Sequence, residues 1–323
     1  MGARQAVIDR IGGPEVITWR DVDLPPPGRG QALVRHTAVG LNFIDTYHRS
    51  GLYPIELPGG LGLEAAGIVE AVGEGVSLQP GDRVATFGPE RGAYATARVV
   101  STASLIKLPD DIEDDIAAAA LLKGCTAEFL VERCGRVEAG WPVLVHAAAG
   151  GVGLLLVQWL KAAGARVIGT VGSDDKAGLA RNAGADHVLR SDEDLAAEVR
   201  ALTGGAGVRV TFDGVGKATW AASLAATARR GLLVSYGNAS GAIGPVDFAV
   251  LARHGSLFAT RPTLFDYYAE AEERAAGAAR LFEMLRSGRL RVEIGRRYRL
   301  EDAAAAHRDL EARRTTGSSL LVP

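Results

Sequence analysis

The chain has 323 residues, 47% hydrophobic and 23% charged, a balance that excludes a disordered protein of this length. Lysine plus arginine number 36 and aspartate plus glutamate 38, so the net charge of −2 offers no basic surface for nucleic acid or an anionic membrane. Two cysteines, Cys125 and Cys134, cannot build a disulfide framework and fit a reducing, cytoplasmic setting. The first residues carry Arg4, Asp9 and Arg10 and lack the apolar core of a signal peptide. The length predicts about two domains, and the 41 glycines predict many tight turns and close backbone contacts.

The first third reads as β-structure. Short segments rich in β-branched residues stand at 6–8, 16–19, 32–38, 67–72, 83–86 and 93–99. Turn clusters such as Gly12-Gly13-Pro14 and Pro80-Gly81-Asp82 separate them, as in an irregular barrel or sandwich. Residues 114–130, with an alanine run, predict a helix. The middle third alternates. Strands are predicted at 142–146, 166–171, 187–189, 209–212, 231–235 and 256–260, with helices at 151–163, 176–183, 192–202, 218–228 and 246–253. Six strands alternating with helices imply an α/β, doubly wound parallel sheet with right-handed crossovers. The apolar run 143–160 is long enough to cross a membrane, but its clustered glycines, His146 and Gln158 predict strand, turn and buried helix instead. The last sixty residues predict helices at 268–287 and 301–313, a basic turn at 289–291 and a strand at 319–322. They break the alternation, so one domain is expected from 1–122 plus 265–323, split by a nucleotide-binding domain at 123–264.

The segment His146-Ala147-Ala148-Ala149-Gly150-Gly151-Val152-Gly153 lies between a predicted strand and a predicted helix. Glycines there let backbone approach a pyrophosphate, and the helix N-terminus supplies amide donors and the positive dipole end. Ala147 stands where the first glycine of G-x-G-x-x-G would be. The next strand ends at Gly172-Ser173, without the acid that holds a ribose 2′-hydroxyl. Lys176 follows, and Arg190 ends the third strand. Two cations near an acid-free tip point to the 2′-phosphate of NADPH, with Asp174 and Asp175 weighing against it.

The residues Asn42-Phe43-Ile44-Asp45-Thr46-Tyr47, Gly62-Leu63-Glu64, the 146–153 turn, Gly237-Asn238-Ala239-Ser240 and Gly317-Ser318-Ser319 resemble the zinc-free NADPH:quinone oxidoreductases, the zeta-crystallin-like branch of the medium-chain dehydrogenase/reductase superfamily. Bacterial members are the nearest in pattern. The resemblance implies a GroES-like β-rich domain plus a Rossmann domain, cofactor in the cleft, and a homodimer. By position, Asn42, Tyr47 and Thr126 would face the nicotinamide and serve as catalytic candidates. Gly150, Gly151, Val152 and Gly153 would meet the pyrophosphate. Gly172, Ser173, Lys176 and Arg190 would surround the ribose phosphate, and Tyr236, Asn238, Ser240 and Ser319 would complete the nicotinamide side. Bacterial relatives often carry a tyrosine after the third strand; this chain has none, and Arg190 is the candidate replacement.

Zinc-dependent members of the superfamily use Cys and His ligands. Asn42 stands at the first of these positions and Leu63 at another, and neither suits zinc. Without a Lewis acid, an acceptor that takes hydride easily is favoured, and a quinone fits. His36 and His48 are the nearby imidazoles, read as packed or loop residues rather than acids. Two other functions compete: an enone or enoyl reductase with Tyr47 as proton donor, and a non-catalytic, crystallin-like NADPH binder.

Overall fold

The computed structural model describes residues 2–191 and 194–323. Two compact units emerge. One holds the chain up to Lys123 together with Tyr268–Phe282 and Val292–Pro323; the other holds Gly124–Tyr267 and Glu283–Arg291. The segment Glu283–Arg291, placed by the sequence reading with the C-terminal part of the first domain, thus lies in the second unit.

The first unit is β-rich. Its larger sheet runs, among the described residues, in the order Ile294–Arg299, Ser318–Val322, Gln31–Leu41, Glu64–Val72, Arg83–Phe87 and Ile106–Lys107, with Ala97–Ser101 also pairing Gln31–Leu41. The strand Ser318–Val322 runs antiparallel to Gln31–Leu41, with Ser319 opposite Leu41. A sheet shared by segments from both ends of the chain makes this unit discontinuous. Gly2–Ile8 pairs separately with Thr18–Asp23 and Gly59–Gly60. Ile8, Val39, Leu41, Leu61, Tyr94, Leu300 and Leu321 pack together in its core.

The second unit contains, among the described residues, six parallel strands in the order His187–Arg190, Arg166–Val171, Pro142–Val145, Val208–Asp213, Thr227–Ser235 and Phe258–Thr260. Numbered along the chain this is 3-2-1-4-5-6, so the strand order reverses between Pro142–Val145 and Val208–Asp213. Pro142–Val145 is apolar throughout and Val208–Asp213 is buried at every position but Arg209, because helices cover both faces of a parallel sheet. The sheet and helices are the predicted ones, with shorter ends: Leu195–Leu202 for the helix expected from 192 (Asp192 lies outside the described residues), Trp220–Ala226, and Ala249–Arg253.

Several elements were not expected, among them the helix Phe43–Ser50 and the strand Ile294–Arg299. The strand's arginines suggest a solvated turn, but they are paired outward: Arg297 with Asp115 at 2.9 Å and Arg296 with Asp309 at 2.5 Å. The Asp114–Glu128 helix continues into a widened turn at Phe129–Cys134. Among the described residues no helix is long and apolar enough to cross a membrane, and the 143–160 run divides into strand, turn and helix as expected.

Candidate functional site

In the second unit, the turn after Pro142–Val145 is made almost wholly of backbone. Ala147 takes φ +52°, the left-handed region where the motif would place glycine; for an L side chain this costs about 1 kcal/mol. The Ala147 carbonyl accepts the Gly150 N–H at 2.9 Å, closing the turn. Gly150 then precedes the Gly151–Ala162 helix with no side-chain cap. Gly150, Gly151 and Val152 are half-buried at that N-terminus, whereas Gly153 is buried. A Cβ on Gly153 would lie 2.2 Å from the Ala147 oxygen. Gly153 therefore serves close packing of helix on turn, and with the Gly150 N–H taken by Ala147, the first-turn N–H groups of Gly151 and Val152 are those a helix start can offer to an anion.

The neighbouring strand Arg166–Val171 ends at exposed Gly172 and half-buried Ser173. No atom lies within 4 Å of where a Gly172 Cβ would stand, so the tip is open. Arg190 pairs in register with Val171 at the same end. It donates to Asp174 Oδ1 at 3.2 Å, so one of the two acids that oppose a phosphate already faces a cation. Lys176 is half-buried in the first turn of Asp174–Asn182, its backbone N–H on the Ser173 carbonyl.

Asp213, at the end of Val208–Asp213, was missed by the sequence reading. Its Oδ1 accepts the N–H groups of Val215 and Gly216, both at 2.9 Å, and its Oδ2 accepts the Ser223 hydroxyl at 2.8 Å. With that proton committed, Ser223 Oγ accepts from His146 Nε2 at 2.9 Å. Burial holds His146 below its ordinary pKa, against the opposing pull of Asp213. The network is fully buried and fixes the strand ends beside the glycine turn. The Asp-Gly pair at a strand end was the available signal. Tyr236 donates its N–H to the Asp213 carbonyl at 2.9 Å, and Asn238 and Ser240 follow in the same loop. The Ser240 hydroxyl donates to the Val215 carbonyl and accepts the Ala218 N–H, so it braces the loop. Thr126 is buried on the Asp114–Glu128 helix.

In the first unit, Asn42 precedes the Phe43–Ser50 helix and forms a capping box with Asp45, whose Oδ2 accepts the Asn42 N–H at 2.9 Å. Asn42 Nδ2 donates to Glu64 Oε2 at 2.9 Å. Tyr47 is buried on the same helix, its ring 5.2 Å from that of Tyr53. Ser319, opposite Leu41, has a buried hydroxyl with no protein partner, the kind of orphan a ligand satisfies. Behind Asn42 a buried series runs from Asp45 through the Tyr94 hydroxyl (2.9 Å) and His307 Nε2 (3.0 Å) to Arg49, which is paired with Glu311. Arg49 can only donate, so His307 accepts at Nδ1 and gives its proton to Tyr94, which gives its own to Asp45. Burial raises the Asp45 carboxyl to about 7 and lowers His307 to about 3. His36 and His48 are lowered to about 3 and about 4, also chiefly by burial. Imidazoles so reluctant to charge are poor general acids near neutrality.

The donor set does not fit zinc. Asn42 turns its amide NH2 onto Glu64, Leu63 is a buried hydrocarbon, and the Lys123 ammonium stands 3.0 Å from Glu64 Oε2. A cation already neutralises Glu64, the carboxylate next to Leu63.

Comparison with known proteins agrees with this geometry. The family model described as alcohol dehydrogenase GroES-like domain matches residues 28–110, and that described as zinc-binding dehydrogenase matches 151–277. The chain is 49% identical to a quinone oxidoreductase of Pseudomonas aeruginosa, over 99% of this chain and 100% of the relative. It is 43% identical to a 2-haloacrylate reductase of Burkholderia, over 98% of each. The solved structure of Escherichia coli quinone oxidoreductase complexed with NADPH superposes with a TM-score of 0.97 at 44% identity, over 99% of this chain and 100% of that one. The chain belongs to the quinone oxidoreductase family of the medium-chain dehydrogenase/reductase superfamily.

Proposed function

We propose that the protein is an NADPH-dependent quinone oxidoreductase that works without zinc. The observation that carries the reading is the backbone-built turn at Gly150–Gly153 beside the acid-free Gly172-Ser173 tip, in a chain nearly half identical to a named quinone oxidoreductase. Bound NADPH would supply a hydride. The amides of Gly151 and Val152 hold its pyrophosphate, with Gly150 closing the turn on Ala147 and Gly153 keeping the helix close. Gly172, Ser173, Lys176 and Arg190 receive the 2′-phosphate. Asn42, Tyr47, Thr126, Tyr236, Asn238, Ser240 and Ser319 form the nicotinamide side, and the orphaned Ser319 hydroxyl supports its place there. The chain up to Lys123 with Tyr268–Phe282 and Val292–Pro323 makes up the substrate domain, and Gly124–Tyr267 with Glu283–Arg291 the NADPH-binding domain. A two-electron acceptor that becomes an aromatic hydroquinone needs little stabilisation of developing charge, so positioning of donor and acceptor supplies most of the acceleration.

Loss of NADPH absorbance with benzoquinones, naphthoquinones, alkenals and 2-haloacrylate as acceptors tests the reading. Turnover is expected with quinones. Turnover confined to activated double bonds favours the second reading, an enone or enoyl reductase, which the Burkholderia relative supports. NADPH binding with no turnover on any acceptor leaves the non-catalytic reading. A cytoplasmic location agrees with Cys125 and Cys134 forming no disulfide. A homodimer is supported by the edge strand Phe258–Thr260, whose Phe258 is 64% exposed, and by Phe248 at 80%. Light scattering should give twice the chain mass; a monomer at micromolar concentration rejects the dimer.

A further inference from the structure

Glu64 opens the strand Glu64–Val72 and is wholly buried. A carboxylate out of water needs donors and a countercharge. Its Oε1 accepts the Leu122 N–H at 2.7 Å, and its Oε2 accepts both Asn42 Nδ2 at 2.9 Å and Lys123 Nζ at 3.0 Å. Lys123 is itself only 4% exposed. Gly40 removes any slack, since a Cβ there would meet Glu64 Oε2 at 2.3 Å and the Ala118 carbonyl at 2.3 Å. Asp45, held by the Asn42 N–H and the Tyr94 hydroxyl, is an ionisable group that also faces this pair.

An ionised carboxylate only accepts hydrogen bonds. It takes the NH2 end of the Asn42 amide and leaves Oδ1 for the helix cap and for a ligand. A neutral Glu64 would donate from its hydroxyl and take Oδ1 instead, reversing the amide. We propose that Lys123 is a positioning residue: its buried ammonium keeps Glu64 accepting and thereby fixes which end of the Asn42 amide meets the cofactor. The proposal rests on the reading of Asn42 as a nicotinamide-side contact and deepens it. The group recognised is a hydrogen-bond donor of the cofactor, a ribose hydroxyl or the carboxamide NH2.

The test is the dissociation constant of NADPH, read by nucleotide fluorescence across neutral to alkaline pH, with circular dichroism confirming the fold. Lys123→Met should bind about tenfold more weakly at neutral pH and approach wild type in alkali, as the unneutralised, up-shifted Glu64 ionises and the amide returns. Lys123→Arg should stay within about threefold of wild type, because it keeps the charge. The Glu64→Gln/Lys123→Met double variant has no ionisable group at the pair; it should bind weakly with no alkaline recovery. Adding Asp45→Asn to Lys123→Met should leave the recovery in place. Wild-type affinity in Lys123→Met, beside weakened binding in Asn42→Ala, overturns the proposal alone. Recovery that persists in the double variant assigns the titration elsewhere and also overturns it. Should Lys123→Met fail to fold, wild-type affinity in the double variant overturns it equally. Wild-type affinity in Asn42→Ala overturns both this proposal and the reading of Asn42.

Discussion

Two helix N-termini in this molecule are finished in opposite ways. The Gly151–Ala162 helix begins with no side-chain cap, on glycines and small residues, and its amides remain available. The Phe43–Ser50 helix is capped by Asn42 and Asp45 and backed by Glu64, Lys123, Tyr94, His307 and Arg49. The first is a site made of backbone, where a side chain is an obstruction. The second is a site made of side chains, where each donor and acceptor is set by the next. A substitution should therefore act by steric exclusion at the first and by charge or polarity at the second.

The largest effect is expected from Gly153→Val. Its Cβ would collide with the Ala147 carbonyl, which has no room to yield. The loss should be about 3 kcal/mol or more, seen as a large fall in denaturation midpoint. A normal midpoint would mean that the turn is softer than the contact implies.

Gly151→Val comes next and separates binding from folding. It should fold but lose about a hundredfold or more in NADPH affinity by calorimetry, since a branched side chain would stand where backbone must approach the pyrophosphate. Unchanged affinity in a folded variant would remove the backbone reading of this turn.

At the strand tip the effect is smaller and selective. Lys176→Ala should raise the KM for NADPH about tenfold through the loss of a charge-assisted contact, with that for NADH nearly constant. Gly172→Asp meets no atom of the protein and should move preference toward NADH by supplying the acid for a ribose hydroxyl. Equal losses for both cofactors in Lys176→Ala would show that it does not read the phosphate.

The smallest effect is a pH dependence on the side-chain-built half. His36, His48 and His307 are buried neutral, with pKa values of about 3, about 4 and about 3 in the folded state against an ordinary 6.5. The unfolded chain takes up their protons first, so stability falls as pH drops below 6.5. Asp45 works the other way: raised to about 7 from 3.8, it costs stability as pH climbs from 3.8 to 7. Above 6.5 the last of the histidine gain overlaps the last of the Asp45 loss, which is below about 1 kcal/mol. The Asp45 share is therefore read as a difference: Asp45→Asn should gain in Tm relative to wild type as pH rises from about 6.5 to about 8. A difference that does not change with pH would remove Asp45 from the account.

The sequence was most readable where period and punctuation carry the structure. Alternating apolar runs and glycine turns gave the parallel sheet and the 146–153 turn, because a buried strand must be apolar and a tight turn must be small. It was least readable where tertiary partners override local pattern. Phe43–Ser50 carries polar residues in a short span, and its helix depends on Asp45 capping backward and on Arg49 reaching Glu311, 262 residues away. Ile294–Arg299 looks like solvated arginine until Ser318–Val322 supplies its ladder. The Asp213–Ser223–His146 network joins three separated segments, and no spacing rule announces it. Among the site residues taken from resemblance, Asn42 lay in a segment whose shape the residue pattern alone did not give, whereas Ser319 lay in a strand that the pattern did predict.

The strand Ser318–Val322 sits between Ile294–Arg299 and Gln31–Leu41, in a sheet whose strands from Gln31 to Lys107 are made long before it. During synthesis the second unit can close as soon as its own strands have emerged. The first unit must wait with the Gln31–Leu41 edge unpaired until the ribosome has finished everything between. Ser319 then arrives in the same event that seals that edge. Maturation of this unit is thus tied to the arrival of Ser318–Val322, and a nascent protein is expected to form its glycine turn before the first unit closes around Ser319.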